Sequence, residues 1–115
     1  MIFNRELSMF QPADNDAYRE VLDKIRQKTL AYGEKTLMAE FWLAKEAILP
    51  RHSHPHEQIG YLVSGQLALT IDTTTYQARP GDSWCIPGET EHNAVAIEES
   101  VAIEVFSPVR EDYIP

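Results

Sequence analysis

His52, His54, His56 and Gln58 fall within seven residues, in the stretch RHSHPHEQIGYLVSG that runs straight into an apolar segment. No other feature of the chain limits its fold so sharply. In extended backbone successive side chains point to opposite faces, so His52 and His54 share a face and their imidazoles can converge on one ion. Pro55 removes a ladder donor and bends the chain, turning His56 outward into a loop. Gln58 then opens a strand-like run, residues 59–63, that ends at Gly65. Neutral imidazole nitrogens suit Zn, Ni, Cu or Fe, and a carboxamide oxygen is a weaker donor that completes the shell. Gln58 is read either as that donor or as a hydrogen-bond partner of a ligand histidine. The remaining histidine, His92, follows PGDSWCIPGETEH, where Pro80-Gly81 and Pro87-Gly88 are turn signals around a short strand, residues 83–86.

The rest of the chain reads mostly as short strands. Leu67, Leu69 and Ile71 alternate with Gln66, Ala68, Thr70 and Asp72, and residues 72–75 form a polar hairpin. Strands are expected over residues 76–79, 93–97 and 101–106, and, upstream, over residues 29–32 and 35–45 about Gly33. The run KTLMAEFWLAK is nearly apolar on both faces, and the excess over one face suits a dimer interface. Residues 46–50 are expected to be a turn. Two features differ near the start: residues 1–11 suit an edge strand, and the spacing of Tyr18, Val21, Leu22 and Ile25 predicts a short helix capped by Asp14 or Asn15. This gives a single domain of 115 residues, an extension over residues 1–28 and a barrel over 29–115, large enough for a real core. Regularly spaced short strands with turns between them predict an all-β barrel or sandwich.

Taken together, the HxH pair, Gln58 and Gly65, followed by Gly81, Pro87 and His92, resemble the paired motifs of the cupin superfamily. The resemblance implies a double-stranded β-helix, the jelly-roll barrel, with one divalent transition metal inside it (Zn, Ni, Fe, Mn or Cu). A narrower likeness comes from the last strand. LAYGEK, HSHPHEQIGYLVSG and EVFSPVREDY are similar to the KdgF family, whose members open the ring of 4,5-unsaturated uronates released from pectin or alginate. That likeness implies a metal on His52, His54, Gln58 and His92, where cupins at large carry glutamate in place of Gln58. It also implies a catalytic acid at Glu104, an aromatic at Phe106 and an arginine at Arg110. The family usually has Asp where Glu104 stands.

Chemistry reaches a compatible reading. Three imidazoles and an amide leave a metal its full charge, so it attracts an anionic oxygen and polarises it. Arg110 suits two-point contact with a carboxylate, and Tyr61 and Phe106 are candidate pocket wall. Val101, Ile103 and Val105 face one way, whereas Ala102, Glu104 and Phe106 face the other. Glu104 is thereby placed to move a proton on a bound sugar. Bland readings stand beside these: a solvated Glu104, an Arg110 paired with Glu111 or Asp112, and a small buried Cys85. Two other functions stay open, a metal-dependent dioxygenase of a small molecule and a non-catalytic binding module. A net charge of −8 argues against nucleic acid or an anionic membrane as partner. The start lacks a basic segment leading into an apolar core, so a cytoplasmic protein, a homodimer acting on a small anionic sugar, is expected.

Overall fold

A computed structural model describes residues 9–115. Ten strands and one 3-10 turn follow in order: β1 Arg19–Leu22, β2 Ile25–Tyr32, β3 Leu37–Leu43, β4 Ile48–His52, β5 Glu57–Ser64, β6 Leu67–Ile71, β7 Thr74–Ala78, β8 Ser83–Ile86, β9 His92–Ala96, β10 Ser100–Ser107 and the turn Glu111–Tyr113. They form a six-stranded sheet, β1-β2-β3-β10-β5-β8, and a four-stranded sheet, β4-β9-β6-β7. All pairs are antiparallel. Consecutive strands repeatedly cross between sheets, which is the expected jelly roll.

Alternation decides which face is the core. On β10 Ser100, Ala102, Glu104 and Phe106 are buried while Val101, Ile103 and Val105 are half-buried on the outside. On β5 Gln58, Gly60 and Leu62 point inward, between exposed Glu57, Ile59 and Tyr61. Leu43, Leu62, Leu67, Ala96 and Ala102 join Ile25 in one apolar cluster, and Leu37, Ala39 and Phe106 make a second against Tyr113. Each fully buried aliphatic side chain stabilises by about 1.5–3 kcal/mol. Gly65 ends β5 with φ of +91°, where a Cβ would also strike Ser100 and the Glu99 carbonyl.

Two expectations need correction, and a third lies largely outside the described residues. The short N-terminal helix does not form: residues 19–32 are a hairpin, turning at Asp23-Lys24, with Lys24 at φ +65°. The apolar spacing of Tyr18, Val21, Leu22 and Ile25 fits a helix, but an isolated short helix is marginal. Pairing of β2 with β3 along Ile25↔Leu43 to Tyr32↔Leu37 satisfies the backbone and buries Ile25 and Gln27 instead. Residues 19–28 therefore belong to the six-stranded sheet. Second, residues 46–50 are not all turn. The chain reverses at Glu46, whose φ is +73°, and Ile48 already starts β4, because Ile48 and Leu49 find partners in Val95 and Ala94 of β9. Third, the edge strand expected over residues 1–11 falls largely outside the described residues, and Met9 to Gln11 are not strand. Among the described residues no helix is long and apolar enough to cross a membrane.

Candidate metal centre and adjoining acid

Strand pairing brings the distant histidine to the HxH pair. His52 and His92 are opposite one another in the β4–β9 register, with ring centroids 4.2 Å apart. His54, just beyond β4, lies 5.0 Å from His92 and 5.6 Å from His52 by the same measure. One ring nitrogen from each can be chosen so that all three lie within 4.8 Å of one another.

The backbone assigns which nitrogen is free. Nδ1 of His52 pairs with the Pro50 carbonyl at 2.8 Å, that of His54 with the His56 carbonyl at 3.1 Å, and that of His92 with the Thr90 carbonyl at 2.9 Å. A carbonyl only accepts, so each Nδ1 carries the proton and each Nε2 a lone pair. Nε2 of His92 is buried without a hydrogen-bond partner, which costs about 1–3 kcal/mol unless something occupies it. Burial pushes the His92 pKa down to about 4, against the raising effect of its Thr90 bond. His54 is lowered too, by burial and then by the Arg110 charge. Both are neutral near pH 7, the state that binds metal.

Gln58 adds a fourth donor. Its Nε2 donates to Glu104 Oε1 at 3.0 Å, which fixes the amide with Oε1 turned to His54 Nε2, also at 3.0 Å. With the His54 proton on Nδ1, two lone pairs face each other there. A cation between them resolves the conflict, so the donor set fits a divalent transition metal. His56 stays out of the cluster: its ring lies 5.5 Å from that of His54, and its carbonyl orients His54.

Glu104 is buried beside this array and accepts a second bond on the same oxygen, from Trp84 Nε1 at 3.3 Å. Gly60 makes that possible. It pairs with Glu104 on one side and Trp84 on the other, and a Cβ at this position would overlap the indole and Oε1. Burial raises the Glu104 pKa to about 7, with the bonds from Gln58 and Trp84 pulling the other way. At neutral pH the carboxyl is thus both donor and acceptor.

Arg110 also lines this space, near enough for its charge to act on His54 and His92. Its guanidinium lies 5.0 Å from the Phe106 ring centroid and 4.4 Å from that of Tyr113, cation–π distances. Asp112 grips it with two bonds, Nε to Oδ1 at 3.0 Å and Nη2 to Oδ2 at 2.8 Å. His52, Gln58, Trp84, His92, Glu104, Phe106 and Arg110 all line a chamber of about 60 Å³. It shares His52, Arg110 and Tyr113 with an outer mouth of about 490 Å³ that Arg19 and Asp112 also border. Tyr61 does not belong here. Its position in the β5 alternation turns it outward, 49% exposed, so its expected role in the pocket is set aside.

Sequence reasoning missed Trp84, Tyr113 and Asp112 as site residues. A glycine inside a strand marks close approach of neighbours, and Gly60 was the available signal for Trp84.

The Cupin domain family model matches residues 40–107. A pectin degradation protein, KdgF of Dickeya dadantii (strain 3937), is 31% identical over 103 residues, covering 88% of this chain and 94% of its own. Among solved structures, KdgF from Halomonas sp. superposes with a TM-score of 0.88 at 29% identity, covering 93% of this chain and 99% of that one. An RmlC-like cupin from Shewanella frigidimarina NCIMB 400 superposes with a TM-score of 0.88 at 25% identity, covering 93% and 96%. With the barrel, the motif order and these likenesses in agreement, the chain belongs to the cupin superfamily and is a relative of KdgF.

Proposed function

We propose that this protein opens the ring of 4,5-unsaturated uronate monosaccharides, the sugars left when lyases cleave pectin or alginate. The observation that carries the reading is the bridge through Gln58, which ties the histidine cluster to a buried acid titrating near neutrality. A metal site alone would serve many functions. A metal site joined to a proton-transfer group and facing an arginine suits an anionic sugar that must lose and regain a proton.

His52, His54 and His92 through Nε2, and Gln58 through Oε1, would hold a divalent transition metal, which supplies Lewis-acid stabilisation of negative charge on a bound oxygen. Arg110 receives the uronate carboxylate through a two-point contact, its guanidinium packed against the Phe106 and Tyr113 rings. The inner chamber takes only the reacting end of the sugar, and the rest occupies the mouth. Glu104 in its carboxylate form accepts the proton of the anomeric hydroxyl as the bond between C1 and the ring oxygen breaks. C1 becomes an aldehyde, and the electron pair of the broken bond stays on the ring oxygen as an enolate conjugated with C4. Glu104 then returns the same proton to C4, giving the keto form. The reaction is an isomerisation, and no atom is gained or lost. With one oxygen held by Gln58 and Trp84, Oε2 is the oxygen left to carry the proton.

The test follows the conjugated double bond by its ultraviolet absorbance, using freshly released unsaturated uronates. Faster loss with metal-loaded wild type than without protein, abolished by Glu104→Ala and by chelation, is the expected result. A wild-type rate equal to the spontaneous one on several such sugars would overturn the reading.

The six-stranded sheet, which carries Gln58, Trp84 and Glu104, offers a surface for self-association. On its outer face Met38, Val105, Ile59 and Cys85 form one cross-strand row, with Ile103 and Tyr61 in the next. Ile59, Tyr61 and Val63 are about half-exposed, which suits a homodimer packed face to face.

A further inference from the structure

Arg110 already holds a carboxylate. Its Nε and Nη2 both bond the Asp112 side chain, in the parallel fork that a substrate carboxylate would need. The two partners differ in exposure. The Arg110 side chain is 14% exposed and packs against two aromatic rings, while that of Asp112 is 58% exposed. The arginine is the enclosed partner of the pair and the aspartate the one that faces solvent. Asp112 also sits in the short 3-10 turn that borders the mouth, and no residue of that turn is buried. Its backbone carbonyl, held by Arg19 Nη2 at 2.6 Å, keeps the turn in place whatever the side chain does.

We propose that Asp112 is an internal stand-in for the substrate carboxylate: it occupies the two-point face of Arg110 in the empty site and yields it to an incoming carboxylate. Each binding event is then an exchange of one carboxylate for another, and affinity is set by the difference between them. The exchange has two consequences. Arg110 never faces the mouth as an unpaired cation, so its geometry is kept ready between turnovers. Neutral sugars, which cannot replace a carboxylate on the guanidinium, are rejected, because displacing Asp112 without a substitute leaves a mostly buried charge unpaired. That the incoming carboxylate belongs to an unsaturated uronate rests on the function proposed above; the exchange itself does not.

The experiment uses metal-loaded full-length protein and galacturonate, a saturated uronate that lacks the 4,5-double bond and so cannot be converted to the keto product, with galactose as its neutral counterpart. Binding is measured by calorimetry and by shifts of the Tyr113 ring resonances. Asp112→Asn keeps the size of the side chain and the backbone bond to Arg19 but weakens the pair with Arg110. Galacturonate should bind it about two- to fivefold more tightly than wild type, in line with an exposed ion pair. Galactose should stay weak in both. Glu111→Gln removes the same charge from the same turn without touching Arg110 and should leave affinity unchanged. An equal gain in Glu111→Gln would reduce the effect to net charge and overturn the exchange, as would unchanged or weaker binding in Asp112→Asn. A gain in Asp112→Asn that persists when Arg110→Gln is added would also overturn it, because the exchange would then lie elsewhere. On an unsaturated uronate, Asp112→Asn should lower KM with little change in kcat; a purely structural role would lower kcat or thermal stability instead. Tighter galacturonate binding without ring opening would leave the exchange standing and remove only the proposed reaction.

Discussion

Trp84 and Glu104 meet across a strand that lies between them. They come from β8 and β10, the two neighbours of β5, and touch only because Gly60 has no side chain. The indole N–H stabilises the ionised carboxyl, so Trp84→Phe, which removes the donor and keeps the bulk, should raise the Glu104 pKa above its value of about 7. If the carboxylate form starts the reaction, activity rises with pH through that pKa. The rising limb of kcat/KM in the variant should therefore move to higher pH, and an unmoved limb would remove Trp84 from the proton-transfer apparatus. Gly60→Ala should be more damaging, with an overpacking cost of about 1–3 kcal/mol in thermal unfolding.

Glu104→Gln should abolish most turnover, by about 10²- to 10⁴-fold, while leaving metal content unchanged. Glu104→Asp restores the acid but draws it back by one methylene from Gln58 and Trp84. A partial loss of about 10- to 100-fold is expected from the misplacement. Metal analysis beside single-turnover rates separates the two: if either variant loses its metal, Glu104 is a support for the ligand set and not the proton carrier.

The metal-free protein should be acid-sensitive through His92. Its folded pKa of about 4 lies below the unfolded value of about 6.5, so between those values the unfolded chain binds more protons. Stability accordingly falls as pH drops from about 6.5 to about 4, by on the order of 2–3 kcal/mol. His92→Gln should flatten that slope in urea unfolding, and adding metal to wild type should raise the melting temperature at pH 7 but little at pH 4, where protons compete for the ligands. A wild-type slope retained in His92→Gln would assign the acid sensitivity to other groups.

Self-association can be tested on the outer sheet face without touching the site. Ile59 is 52% exposed and points away from the chamber, so Ile59→Glu should leave the fold intact. Light scattering should give a dimer for wild type and a monomer for the variant. A monomeric wild type at micromolar concentration would dismiss the interface.

Much of this was legible because strand period and motif spacing agree. The alternation at Leu67, Leu69 and Ile71 placed β6, and residues 83–86, bracketed by two Pro-Gly turns, gave β8. The inward set of β10, Ala102, Glu104 and Phe106, followed from the same period of two. The N-terminal hairpin did not show itself. Four apolar residues at helical spacing are also compatible with two short strands, and only the presence of β3 as a partner decides between them. Tyr61 reads as pocket wall from residue type, although its odd spacing from Gln58 along β5 puts it on the other face. Asp112 was legible only as one of two acids near Arg110. Its two-point geometry depends on the tight turn that brings position 112 back over position 110, and a local reading of residue types does not contain that turn.

Long-range ties secure the turn that borders the mouth. Arg19 bonds the Asp112 carbonyl and Thr29 bonds the Tyr113 carbonyl, joining positions 93 and 84 residues apart. The turn they secure buries none of its own residues, whereas the barrel behind it is held by continuous ladders and an apolar core. Segments with few buried contacts open at lower free energy than the whole domain. Heat should therefore loosen the Arg110 wall before it melts the sheets, and the protein should pass through a range of temperature in which it is folded, still holds its histidines together, and no longer recognises an acid sugar.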